Sequence, residues 1–226
     1  MLTTLKKALG ALLVSSLIVI SSSAQSSGWP TYHVTITNLT NAIIFTPILV
    51  ASHRRQIDLI GLGSPASEEL TAIAEAGDIS LLEAALKDMN QVADVQNSGG
   101  PLMPGHSVTV VLKARHGARR ISLAAMMLPT NDGFIALDSV KAPKRGTQTY
   151  YSPGYDAGTE PNDELCVNIP GPICEGEGLS TYKNPDDEGY VHIHRGIHGV
   201  GDLLLQPAIY DWRNPVARIT VTRIGH

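Results

Sequence analysis

The run from Ile121 to Leu128 contains one polar residue, Ser122, and no charge. A strand that is apolar along nearly its whole length has no face to give to water. Its neighbours must come from a facing sheet, which places it in the core of a β-sandwich. Tyr32-His33-Val34-Thr35-Ile36-Thr37 behaves differently, alternating apolar and polar residues with β-branched side chains, as a half-buried strand does. These two patterns predict a mostly β domain of packed antiparallel sheets.

Other elements follow from local signals. Ile43 to Val50 reads as a strand interrupted by Pro47, which cannot donate to a ladder and so marks an edge or a bulge. Ser64-Pro65 fits a helix cap followed by proline in the first turn, and Glu68 to Ala76 has helical composition. Gly77 stops that helix and Asp78 caps the next, Ile79 to Met89, whose apolar face is Leu81, Leu82, Ala85 and Leu86. The pair is expected as a short helical excursion, around residues 65–89, on the surface between the sheets. Further strands are expected at Ser107–Leu112, Tyr190–Ile193, Leu203–Leu205 and Ala217–Ile224. Residues 142–189 are rich in Gly, Pro, Asn, Asp and Glu, with almost no periodicity, and long loops of that kind inside a compact domain are commonly functional.

The beginning of the chain carries an export signal. Lys6 and Lys7 precede an apolar stretch from Ala8 to Ile20, and Ser22-Ser23-Ala24 supplies small residues for cleavage. The expected organisation is a signal peptide over residues 1–24, a linker over 25–30 and one domain over 31–226, secreted or periplasmic. The apolar stretch is shorter than the roughly 20 residues of a membrane span, and no other segment is apolar enough for one. The whole chain has 17 basic and 21 acidic residues, and losing the two leader lysines makes the mature domain more acidic still. That balance, with Lys and Arg scattered, argues against a nucleic-acid partner. Cys166 and Cys174 are the only cysteines, and in an exported protein this pair is expected to form a disulfide.

Two acidic clusters could carry chemistry. Asn131 to Asp138 follows the apolar run directly, and Gly154 to Glu160 lies in the loop-rich region. Hard cations such as calcium take six to eight oxygens, and glycine-containing loops fold around them. Asp132, Asp138, Asp156 and Glu160 would supply four carboxylates if the loops meet. Asn-Asp-Gly is equally ordinary turn chemistry. A second constellation competes: alternation puts His192 and His194 on one strand face, and with His198 and Glu177 (or Glu175) they would suit zinc or copper. Glu175 and Glu177 also have the composition of an acid/base pair. The sequence has no nucleophile elbow, no HExxH and no phosphate-cradling glycine loop, and the reading is non-catalytic.

Taken in order, NDGFIALD, YDAGTE and a closing DW-x2-PVARITVTR resemble the spondin N-terminal domain. That family includes the F-spondin and mindin matrix proteins and many small bacterial exported proteins. The opening segments Tyr32–Asn38 and Phe45-Thr46-Pro47 resemble its first strands. The resemblance implies an antiparallel β-sandwich similar to a C2 domain, with a calcium site at one end. It also implies a role in adhesion and recognition of a macromolecular or cell-surface glycan partner. Carried over by residue, Asp132, Asp138 and Asp156 are the implied oxygen donors, with Glu160 a further one. The chain lacks the additional cysteines and thrombospondin-type repeats of the animal proteins, so the fold and the ion are what the resemblance transfers.

Overall fold

A computed structural model describes residues 28–115, 117–180, 184–202 and 206–224. The expected signal peptide and the strand expected at Leu203–Leu205 lie outside the described residues. In chain order the strands are β1 (Thr31–Asn38), β2 (Ile44–Phe45), β3 (Leu49–His53), β4 (Val92–Asn97), β5 (Ser107–Lys113), β6 (Arg120–Leu128), β7 (Gly133–Lys141), β8 (Thr147–Ser152), β9 (Gly154–Asp156), β10 (His192–Ile193) and β11 (Ala217–Arg223). The helices are α1 (Glu68–Ala76), α2 (Ser80–Asp88) and the short α3 (Pro207–Tyr210). No helix among the described residues is long and apolar enough to cross a membrane.

Two antiparallel sheets face each other. The smaller has the order β5-β1-β11-β8, and the larger β10-β9-β7-β6-β3-β4, with β2 paired to β6. The alternation read in β1 is realised: Tyr32, Val34 and Ile36 are fully buried. They meet Ile219 and Val221 of β11 and Ile121, Leu123 and Ala125 of β6 in one continuous core. The protein is therefore the mostly β sandwich that the sequence predicts.

The central strand β6 needs a correction. Only one of its faces is covered by the opposite sheet. Ala124, on the other side, packs in a separate cluster with Ile73 of α1 and Leu82 and Leu86 of α2. The helices are thus a third layer on the back of the larger sheet, and not an excursion between the sheets. Burying a side chain such as Ile73 contributes about 1.5–3 kcal/mol, so this layer is part of the stability of the sheet it covers. A helical face and a sheet face serve equally well to exclude water from β6, which is why its composition could not tell them apart.

The helix ends follow local chemistry with one shift. The cap of α1 is Ser67, whose hydroxyl accepts from the Leu70 amide, and not Ser64. Gly77 closes α1 with φ 65°, as expected, and a Cβ there would lie 2.6 Å from Thr46 Cγ2. Asp78 accepts from the Ser80 amide at the start of α2. Pro47 divides the expected strand into β2 and β3. Strands β4, β8 and β9 carry little sequence signal. β8 is at the edge of its sheet and presents polar residues to solvent, as where Thr147 bonds the Thr222 hydroxyl at 3.0 Å. β9 is only three residues long and depends on pairing from both sides.

Candidate metal centre

The larger sheet ends in the strands β7, β9 and β10, and their register assembles a polar cluster. Gly133 of β7 pairs with Asp156 of β9, which pairs in turn with His192 of β10. Asp132 immediately precedes β7, so its carboxylate arrives at the same end of the sheet. Gly133 itself is required by packing: a Cβ there would lie 3.0 Å from the His194 ring and 2.5 Å from Thr130 Oγ1. The Asn-Asp-Gly sequence therefore begins a strand and leaves room for a histidine ring.

Asp132 and Asp156 are both fully buried. One oxygen of Asp132, Oδ2, accepts from the amides of Thr159 (2.7 Å) and Glu160 (3.2 Å). Its other oxygen, Oδ1, is buried with no hydrogen-bond donor. Asp156 Oδ1 accepts from the Gly158 amide at 2.9 Å, and its Oδ2 accepts from the side-chain amide of Asn162 at 2.7 Å. Burial, and then the charge of Asp156 beside it, hold the Asp132 carboxyl well above its ordinary range. Burial pushes Asp156 up as well.

Glu160 is brought to the same turn but points partly away. One of its oxygens accepts from the Ser180 hydroxyl, and the other, Oε2, is buried without a donor. Burial raises its pKa to about 8. Beside it is a small cavity of about 90 Å³ lined by Asn131, Thr159, Ser180, Asn184 and Asp187, among others. Asp132, Asp156 and Glu160 are thus brought to the same end of the sheet, with the Glu160 carboxylate turned toward Ser180.

Asp138 does not converge with them. It is six residues further along β7, about 20 Å at 3.3 Å per residue. There a bulge places Asp138 and Ser139 opposite Ser122, with Ser139 at φ 48°. The Ser122 hydroxyl accepts from the Ser139 amide (2.7 Å) and donates to Asp138 Oδ1 (3.2 Å). Asp138 Oδ1 also accepts from the Leu59 amide at 2.9 Å. This carboxylate serves the bulge. Asp138 therefore leaves the expected four-acid set, because strand rise separates two residues that a loop would have brought together.

The histidine constellation is also redrawn. His192 Nε2 lies 3.4 Å from Asp156 Oδ1, and His194 Nε2 lies 3.9 Å from Asp156 Oδ2. His194 is buried against Trp212, ring centroids 5.0 Å apart, and burial lowers its pKa to about 3. His198 is exposed, with its backbone amide on the Glu164 carboxylate. Glu177 lies beside the Cys166–Cys174 disulfide, its amide bonded to the Val167 carbonyl, and Glu175 lines the same shallow groove. Neither His198 nor Glu177 joins the two histidines. Glu188 takes that place: ligand atoms of Asp156, Glu188 and His192 all lie within 4.8 Å of one another. Glu188 and Asn162 were missed by sequence reasoning. The spacing Glu188-x3-His192-x-His194 was the one signal that would have included Glu188.

The fold and this end of the sheet define an antiparallel β-sandwich module with a buried carboxylate cluster built from its strand ends and adjoining loops. The family model described as Spondin_N matches residues 25–161, more than half of the chain, and the chain belongs to that family. The matched stretch contains Asp132, Asp138, Asp156 and Glu160 and ends before Glu188, His192 and His194. No curated protein matches the chain.

Proposed function

We propose that this chain is an exported, non-catalytic recognition module of the spondin type that binds calcium through Asp132, Asp156 and Glu160. The observation that carries this reading is Asp132 Oδ1, a fully buried carboxylate oxygen with no donor, set beside the second buried carboxylate of Asp156. Two carboxylates buried together must either hold protons or share a cation. Backbone amides occupy Asp132 Oδ2 and leave Oδ1 for an ion, and Glu160 Oε2 offers another unused oxygen. An all-oxygen donor set with loop flexibility suits calcium. The ion would neutralise the cluster and fix the 156–163 turn, whose loops would present the surface seen by a macromolecule or a cell-surface glycan. Export is supported by the leader-like residues 1–24 and by the Cys166–Cys174 disulfide, which belongs in an oxidising compartment.

Thermal unfolding in calcium, magnesium and chelator tests the reading. With Kd in the roughly 10⁻⁴–10⁻³ M range of extracellular modules, calcium at tenfold excess over Kd stabilises by about 1.4 kcal/mol. For a domain of this size that raises the midpoint by about 3–6 °C. The rise is absent in Asp132→Asn. An identical midpoint in calcium and chelator would remove the proposal. Retention of glycan or cell-surface binding in chelator would separate recognition from the ion.

A further inference from the structure

We propose that Asp156, Glu188 and His192 form a seat for zinc. The proposal shares Asp156 with the calcium reading but does not depend on calcium binding there, since its other donors differ in position and chemistry.

The tautomer of His192 is the first reason. Its Nδ1 lies 3.0 Å from the Ile193 carbonyl oxygen, which can only accept, so Nδ1 carries the proton. In the neutral ring Nε2 is then a bare lone pair, and it is buried with no hydrogen-bond partner. That lone pair faces Asp156 Oδ1 at 3.4 Å. A lone pair and a carboxylate oxygen at that distance repel unless a cation or a proton lies between them. Nδ1–H on a carbonyl with a free Nε2 is the arrangement that metal-binding histidines adopt.

The carboxylates are oriented to match. A single amide group, Asn162 Nδ2, donates to Asp156 Oδ2 at 2.7 Å and to Glu188 Oε1 at 3.1 Å. Arg195, largely exposed, also lies 3.7 Å from Glu188 Oε1. With the Gly158 amide on Asp156 Oδ1, both oxygens of that acid are fixed in direction, and Glu188 Oε2 is left buried without a donor. Hydrogen bonds of this outer kind fix metal ligands in place.

His194 has the opposite tautomer. Its Nδ1 accepts from the Gly196 amide at 3.0 Å, so a neutral ring carries its proton on Nε2. That Nε2 is buried, has no hydrogen-bond partner, and points at Asp156 Oδ2 from 3.9 Å. At that distance it makes no hydrogen bond to Asp156, and because the neutral ring turns an N–H rather than a lone pair toward the seat, His194 is not a ligand.

Size and softness select the ion. Zinc bonds nitrogen and carboxylate oxygen at about 2.0–2.2 Å, which puts neighbouring donors of a tetrahedral shell about 3.3–3.5 Å apart. The Asp156–His192 separation already has that value. Imidazole favours zinc over calcium, which takes oxygens alone. His192 and Glu188 lie beyond the stretch matched by the family model, and Asp156 lies within it.

The test uses the full chain, stripped with chelator and dialysed, then titrated separately with zinc, cobalt(II) and calcium. Zinc binds at one equivalent and raises the unfolding midpoint, and cobalt(II) gives visible d–d absorption. Both effects disappear in His192→Ala and in Glu188→Gln, while the calcium-dependent rise persists in both. Glu188→Gln keeps the acceptor for Asn162, so it decides the matter should His192→Ala fold poorly. Absence of zinc binding to the parent chain, or a zinc-dependent rise that survives both ligand variants, overturns the proposal and leaves His192–Asp156 as an ion pair only. The calcium titration of the parent chain is read independently, so the two readings fail separately.

Discussion

The two ends of β7 carry the same kind of residue in opposite circumstances. At one end Asp138 is held by the Leu59 amide and the Ser122 hydroxyl, and the Ser122 oxygen also takes the Ser139 amide and meets His53 Nε2 at 2.8 Å. At the other end Asp132 and Asp156 are fully buried, and Asp132 Oδ1 has no donor. The first is a network in which buried polar atoms find each other, and it secures a bulge. The second is left open. Buried polar groups are ordinarily hydrogen-bonded, so an orphaned carboxylate oxygen points to something that binds there. Burial and charge are common to both ends; the unmet donor at Asp132 is what the calcium proposal rests on.

Removing the centre of the satisfied network gives the largest effect. Ser122→Ala removes the hydroxyl with little change of volume and leaves the Ser139 amide and the His53 ring nitrogen without their partner in a buried place. Orphaned groups of this kind cost about 2–4 kcal/mol together. Chemical denaturation should show that loss, with the calcium response unchanged. A loss below about 0.5 kcal/mol would mean that the network is not structural.

Matched substitutions at the two ends sharpen the contrast. Asp132→Asn removes a buried ionisable carboxyl beside Asp156 while keeping an acceptor for Thr159. In chelator it should stabilise the protein by about 1–2 kcal/mol, and it should abolish the calcium response. Asp138→Asn should cost up to about 1 kcal/mol and leave the calcium response intact. If both variants behave alike in calcium titrations, the distinction between the two ends fails.

The smallest effect is a pH slope. Glu160 ionises near 8 in the folded chain against 4.5 when exposed, so the folded state retains a proton that the unfolded chain releases. Its contribution in metal-free protein is complete below pH 4.5 and is lost as pH rises toward 8. His194, held neutral to about pH 3, has the opposite sign, losing stability as pH falls below 6.5. Between pH 6.5 and 8 the acid acts without that opposition. Stability in chelator should fall there by up to about 1.4 kcal/mol per pH unit, and the slope should shrink in Glu160→Gln. Calcium should flatten it too, because the ion replaces the proton. A flat profile in the parent chain would show that Glu160 is ionised in the apo protein.

Much of the fold was legible because periodicity records how a residue is buried. The alternation of β1, the apolar β6, the closing β11 and the Gly77 stop were all read from local pattern. What was misread depended on contacts distant in sequence. Composition showed that β6 is covered on both sides but could not distinguish a sheet from a helix as the cover. Polar edge strands such as β8 leave little apolar signal. Asp138 was grouped with Asp132 because Asn131 to Asp138 was taken as a loop, whereas six strand residues carry a side chain far along the sheet. Glu188 and Asn162 had no local mark, since an acid or an amide in a Gly- and Pro-rich segment looks like solvated loop.

Residue order alone determined the sandwich class, the pairing of the two cysteines and the presence of two acidic segments beside histidines, because each follows from local chemistry or from spacing. Only tertiary pairing decided which acids meet. Hydrogen-bond register across β7, β9 and β10 puts Asp156 between Gly133 and His192, and it fixes these contacts between residues as much as 36 positions apart. Register is a property of strand pairs, set by packing over the whole sheet, and no single segment contains it.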